Sequence, residues 1–317
     1  MNIGLMVEGQ FGLTWQRWSH ILALAERLGF PTLFRSDHYF IGTQRDSLEP
    51  YLSFVMAAMQ TRRLRFGPLV SPVTFRRPVD VARMAAQLDV LSGGRFVMGL
   101  GAGWNQAEHH AYGIPFPPAG ERLDRLEEAI DLMKMVWSPG KATYQGKFYQ
   151  VEDVDCLPKP NPGRPPILIG GGGEKRTLRL VARYADEWNC TGLAPAEFAR
   201  KKAVLEQHCE AVGRAPSTIR CSMMAFGIVG HTQEALDRAT ERVIASRPPG
   251  QVRTLAEFRG RAKARGMIVG QTQEVVEQLG RLAELGTWEV QFQHTEFDSD
   301  EVPEYLASEV APKVAAL

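Results

Sequence analysis

Four cysteines are few for a chain of 317 residues, and Cys156, Cys190, Cys209 and Cys221 form no C-x-x-C pair. That spacing implies neither a zinc site nor a disulfide framework, and a reducing cytoplasm is the natural setting. An excess of one charge is missing too. Thirty-seven basic against 36 acidic residues leave a formal charge of +1, which removes the general electrostatic case for a nucleic-acid or membrane-surface partner. No apolar run approaches membrane-spanning length. The opening MNIGLMVEGQFG lacks a basic n-region and meets Glu8 before an apolar stretch long enough for a signal peptide. Internal repeats, low-complexity tracts and flexible linkers are absent as well, so a single domain over 1–317 is expected.

What is present is core material: 44% of the residues are hydrophobic and 23% charged, the balance of a large globular domain. Short apolar runs at Ile3–Val7, Thr32–Arg35, Leu64–Val70, Phe96–Leu100, Pro166–Ile169, Glu187–Thr191, Ile219–Ile228 and Val290–Gln293 are eight strand candidates. Helical periodicity lies between them. Trp15, Trp18, Ile21, Leu22, Ala25 and Leu28 recur at spacings of three and four, as do Leu123, Leu126, Ile130 and Met133. Further helices are expected near 50–61, 78–91, 174–184, 195–211, 232–246 and 272–285. Strand and helix alternate, and eight such units with right-handed crossovers close most simply into an α/β fold of the (β/α)8 TIM-barrel type.

Two connections exceed the basic unit. Residues 101–164 contain a helix near 121–137, a small hairpin around Tyr144–Val151 and the Pro-rich tract Leu157–Pro166, and they are expected to decorate the barrel mouth. Residues 247–266 carry Arg253, Arg259, Arg261, Lys263 and Arg265. A solvated helix is the first reading, and a lid over the mouth the competing one.

In such a barrel the chemistry sits just beyond the C-terminal ends of the strands. The second strand candidate ends in Ser36-Asp37-His38-Tyr39, a carboxylate and an imidazole suited to orientation or proton transfer, or simply a capped loop. The fourth leads into Gly99-Leu100-Gly101-Ala102-Gly103-Trp104, small residues that let backbone approach a ring or phosphate. It lacks the spacing of a dinucleotide fingerprint. The fifth ends in Gly170-Gly171-Gly172-Gly173-Glu174-Lys175-Arg176-Thr177, which runs into an amphipathic helix. Free N–H groups there, with Lys175 or Arg176, would seat a phosphate, although a plain turn is the alternative. No G-K-[ST] ending suggests a nucleoside triphosphate. Metal binding is not expected: Glu108-His109-His110 lies in a helix-like segment where neighbouring side chains diverge. His294, at the end of the eighth strand candidate, could face the mouth with His38, but a lone histidine there reads first as a surface or packing residue. Neither a G-x-S-x-G elbow nor a cysteine nucleophile is evident, so redox chemistry with a borrowed cofactor fits better than acyl transfer.

These motifs together resemble the bacterial luciferase-like flavin and deazaflavin oxidoreductases. The likeness rests on Ser36-Asp37-His38, on Leu88–Arg95 leading into Gly99–Trp104, on Tyr112–Phe116, and on Pro165–Arg176 followed by Tyr184–Asn189. It covers nearly the whole chain and is closer to the branch that uses coenzyme F420 than to the FMN branch.

The resemblance implies a (β/α)8 barrel with His38 and Asp37 as catalytic candidates beside the cofactor ring. It also implies a non-prolyl cis peptide at Leu69–Val70 behind that ring, with Ser71–Pro72 as the competing position. Ala102 and Gly103 would touch the cofactor, and Gly171, Gly172 and Gly173, with Lys175 and Arg176, would hold its phosphate. Phe11, Phe75, Trp104 and Thr191, with Phe116 nearby, would line the substrate pocket. In the sugar-phosphate dehydrogenases of this branch an acid, a tryptophan and a lysine stand where this chain has Trp104, Gly42 and Ala194, which disfavours a sugar phosphate. The reading is therefore hydride transfer between F420 and a small apolar organic substrate. Its alternatives are an FMN-dependent monooxygenase served by a partner reductase, and a binding-only protein. A homodimer is implied by the family.

Overall fold

The computed structural model describes residues 1–45, 47–161, 163–245 and 254–316. Its strands are β1 (Asn2–Val7), β2 (Thr32–Arg35), β3 (Arg65–Pro68), β4 (Ser71–Pro72), β5 (Met98–Gly101), β6 (Ala142–Gln145), β7 (Gln150–Val154), β8 (Ile167–Gly170), β9 (Glu187–Thr191), β10 (Arg220–Ala225), β11 (Gly227–Val229), β12 (Ile268–Gly270) and β13 (Glu289–His294). Nine of them form one parallel sheet in the order β3-β2-β1-β13-β10-β9-β8-β5-β4. Its two ends meet. Val97 N–H donates to Phe66 O at 2.8 Å, and β4 pairs with β5, so β3 and β4 are one strand broken at Leu69-Val70. The sheet is thus an eight-stranded barrel, and all eight strand candidates find a place in it.

Helices follow the strands as the periodicity predicts. Helix Trp15–Leu28 starts at Thr14, whose hydroxyl accepts from Arg17 N–H, and stops at Gly29 in the left-handed region. It buries Trp18, Ile21, Leu22 and Ala25 against the barrel, while Trp15 stays at its exposed edge. Helices Pro50–Gln60, Pro78–Ser92, Ala119–Trp137, Thr177–Tyr184, Pro195–Ala211, Gln233–Ala245 and Thr272–Glu284 complete the outer layer. Among the described residues, no helix is long and apolar enough to cross a membrane.

Period-two alternation layers the barrel interior. Val290 and Phe292 join the outer core, whereas Glu289 and Gln291 are buried in a polar network with Thr32, Glu187, Asn189 and Ser222. Higher up, Met6, Phe34, Leu69, Val97 and Leu168 form an apolar plug with Val70 and Met224 packed on it.

The long connection 101–164 is only partly at the mouth. Its helix Gln106–Ala111 is there, but helix Ala119–Trp137 buries Leu126, Ile130, Met133 and Trp137 in the outer layer. The hairpin β6–β7 lies along that helix, with Glu128 accepting from the N–H groups of Phe148 and Tyr149. An apolar face of that size has to be covered, so these elements cannot serve as mouth decoration.

The residues 247–253 of the basic stretch lie outside the described residues. Beyond them, Leu255–Ala264 is a helix packed through Phe258 and Ala262 on Ile228, Leu236 and Val269. Arg259 pairs with Asp237 and Lys263 with Glu274 at 2.7 Å. Arg261 likewise pairs with Glu257, so the three cations of this helix all have acidic neighbours.

Candidate active site

His38 Nδ1 donates to Glu108 Oε2 at 2.9 Å. Glu108 comes from helix Gln106–Ala111 and is fully buried; its other oxygen accepts from the backbone N–H groups of Tyr39 (2.6 Å) and Phe40 (3.0 Å). One carboxylate therefore fixes both the ring and the loop that carries it. Burial disfavours the imidazolium, but the Glu108 bond and charge, helped by Glu8 and Asp37, more than offset it, and the His38 pKa stands above the ordinary histidine value. Among the described residues Nε2 has no hydrogen-bond partner.

Asp37 is buried beneath this pair. Ser71 Oγ donates to its Oδ2 at 2.6 Å, and Arg76 bonds both oxygens at 2.7 and 3.1 Å. Arg76 also reaches Glu49 at 2.7 Å, and its cation stands over the Tyr51 ring. On the opposite side Glu8 accepts from Gln10 (2.9 Å) and Gln293 (2.5 Å), and Ser36 donates to Gln10.

The Leu69–Val70 peptide is cis and Ser71–Pro72 is not, as the resemblance implies. The Val70 side chain lies against Gly101 and Gly170: an added Cβ would stand 2.6 Å from it at the first and 2.8 Å at the second. Glycine at the ends of β5 and β8 is what leaves room for it.

Beyond β8, Gly171 has φ +120°, a conformation kept for glycine, and a Cβ on Gly173 would stand 2.8 Å from Thr177 Oγ1. The helix begins only at Thr177, three residues later than the sequence suggests. Lys175 is exposed. Arg176 pairs with Asp124 and donates to Gly120 O at 2.8 Å, so its guanidinium is committed to helix Ala119–Trp137.

Trp104 is 65% exposed and meets His38 edge-on at 5.5 Å. Phe75 stacks on Tyr39 at 4.7 Å and contacts His109; His109 in turn meets Phe116. Phe11 and Thr191 are exposed, and Ala102 and Gly103 half-buried, at the strand ends. His109 bonds Thr74 and Asn105 O, so it and Glu108 serve different partners. His294 packs on Phe297, and burial lowers its pKa to about 4.

Sequence reasoning did not single out Glu108, Arg76, Glu8 or Lys201 for the site. For Glu108 a signal existed: it follows Trp104 by four residues, one helical turn past the place where an acid is missing. Arg76 and Glu8 carry no local signal, because their partners are remote in the chain.

The sequence profile of the luciferase-like monooxygenase family matches residues 5–289. An uncharacterized protein of Mycobacterium tuberculosis is 31% identical over 186 residues, which span 53% of this chain and 65% of that protein. The F420-dependent glucose-6-phosphate dehydrogenase of Microbacterium testaceum is 28% identical over 311 residues, 92% of this chain and 91% of that one. Among solved structures, an F420-dependent secondary alcohol dehydrogenase in complex with an F420-acetone adduct superposes with a TM-score of 0.82 at 20% identity, covering 99% of this chain and 98% of that one. The oxygenating constituent of 3,6-diketocamphane monooxygenase from Pseudomonas putida, in complex with FMN, gives 0.79 at 20% identity, covering 99% and 98%. At that identity the structural likeness is one of fold. With residues 5–289 matched to its profile, the chain belongs to the luciferase-like monooxygenase family.

Proposed function

We propose that this chain is an oxidoreductase that holds coenzyme F420, with its ring over Val70 and its phosphate at Gly171–Gly173, and acts on a small, largely apolar organic substrate. The observation that carries this is the His38–Glu108 pair at the same barrel mouth as a glycine row in which Gly170 and Gly173 leave no room for a side chain and Gly171 has φ +120°. The residues fit such a group: Val70 sits on glycines that give it space, and the loop after β8 is open to an anion. The bound deazaflavin supplies the hydride chemistry. The protein's part is to orient the ring, to shield it with Leu69, Val70, Ala102 and Gly103, and to hold a proton on His38. Asp37 acts through its charge and anchors the His38 loop to Arg76.

Trp104 beside His38, with Phe11, Phe75 and Thr191 around the mouth, favours an apolar or aromatic substrate. Trp104, Gly42 and Ala194 stand where a sugar phosphate would need an acid, an aromatic wall and a cation. Four buried, unpaired cysteines support a reducing compartment. A homodimer is supported by the exposed Leu52, Val55 and Met59 on helix Pro50–Gln60, beside Val90 and Leu91 on the next helix.

Titrating the apoprotein with F420 and with FMN, followed by fluorescence, tests the reading. Tight F420 binding with single-turnover hydride transfer to an apolar ketone or alcohol is expected. FMN binding alone, with oxygen consumed when a reductase supplies reduced flavin, would replace it with the monooxygenase alternative. Binding without turnover across a broad panel would leave a carrier or sensor.

A further inference from the structure

The loop after β8 has its carbonyls committed and, among the described residues, the N–H groups that follow them free. The carbonyls of four successive residues are all engaged: Gly171 O accepts from Trp188 Nε1 at 2.7 Å, Gly172 O from Lys201 Nζ at 2.9 Å, Gly173 O from Leu178 N–H at 3.0 Å and Glu174 O from His208 Nε2 at 2.8 Å. The N–H groups of Gly172, Gly173, Glu174 and Lys175 donate to no group among the described residues. In a trans peptide the C=O and N–H point in opposite directions. A carbonyl bonded to the protein therefore turns the next N–H away from that bond, and four such N–H groups are available as donors to an anion.

Two of the latches come from one helix. Phe198, Lys201, Leu205 and His208 are spaced three and four apart along Pro195–Ala211 and face the loop and barrel wall. Phe198 stacks under Trp188, the third latch, with ring planes 4° apart. Lys201 is 12% exposed, and its charge is met by Glu174 at 3.2 Å and Glu197 at 3.8 Å. It is therefore a donor whose charge is already balanced, unlike the exposed Lys175.

We infer that Lys201 is a positioning residue of the phosphate seat, holding the Gly172 carbonyl back so that the N–H row faces the cofactor tail. The inference rests on the glycine row being that seat. Dissociation constants are measured for wild type, Lys201→Met and Lys201→Arg with a phosphorylated ligand and its phosphate-free counterpart: FMN against riboflavin, and F420 against its phosphate-free deazaflavin alcohol. Wild type is expected to prefer the phosphorylated form. Lys201→Met loses about tenfold of that preference, the worth of one preset hydrogen bond, with phosphate-free binding unchanged, and Lys201→Arg recovers most of it. If wild type prefers the phosphorylated form and Lys201→Met keeps the full preference, or weakens both ligands equally, the inference is overturned and the seat stands. If wild type shows no preference, the seat itself is wrong and the inference falls with it. Should Lys201→Met not fold, His208→Phe removes the second latch of the same helix and is read the same way.

Discussion

The side chain of Val70 occupies the space that any side chain on Gly101 would need: an added Cβ would lie 2.6 Å from Val70 Cγ2. Gly170, on the neighbouring strand, stands in the same relation to Val70 at 2.8 Å. Both glycines end barrel strands, so the platform at the mouth is made by what two strands omit as much as by what a third supplies.

Gly101→Ala should destabilise the fold by about 1–3 kcal/mol, the usual cost of overpacking a fixed core site. Val70→Ala in the same chain should recover part of the loss, because the two changes share one contact. Urea unfolding of the single and double variants measures this, and strict additivity would contradict it.

Glu108→Gln should bring the His38 pKa down, since the carboxylate is what lifts it against burial. A histidine pKa raised by its partner stabilises the fold fully below the unfolded value of 6.5, and the benefit is lost as pH rises through the folded value. The wild-type advantage over Glu108→Gln is therefore expected at pH 6 and smaller at pH 9. NMR titration of the His38 ring reads the shift. His38→Ala should slow hydride transfer by about 100-fold with ring binding retained.

Arg76→Met removes the cation from a carboxylate, Asp37, that is 1% exposed. Breaking a buried pair from one side typically costs about 3–5 kcal/mol. The double variant Asp37→Asn, Arg76→Met should lose less than the sum of the singles, which chemical denaturation would register.

Glu289 is lifted from an ordinary 4.5 to about 7, chiefly by burial. The folded state then holds a proton that the unfolded state gives up, so stability falls as pH rises from about 4.5 to about 7 and stays reduced above. Glu289→Gln escapes that penalty, on the order of 3 kcal/mol. Its melting midpoint should match wild type near pH 4.5 and exceed it at pH 8.

Leu52→Glu combined with Met59→Glu charges the exposed face of helix Pro50–Gln60. Sedimentation should show wild-type dimers and monomers of the variant, with His38-dependent chemistry intact. Wild-type monomers would rule out this interface.

The eight strands were legible because each is a short apolar run bounded by turn residues. The local reading erred where burial overrides position. Helix Ala119–Trp137 was expected at the mouth, yet its apolar face seats it in the outer layer. Arg176, adjacent in sequence to the glycine row, is claimed by Asp124, whereas Lys201, far along the chain, reaches the loop carbonyl.

By itself, the order of residues determined the barrel, its eight units and the family, because periodicity and motif spacing are properties of neighbours along the chain. Which carboxylate bonds His38, which cation pairs with Asp37 and which side chain bonds the Gly172 carbonyl were decided by the closed barrel alone. Hydrogen bonds and ion pairs act over a few ångströms, and only folding brings positions 38 and 108, or 172 and 201, within that range.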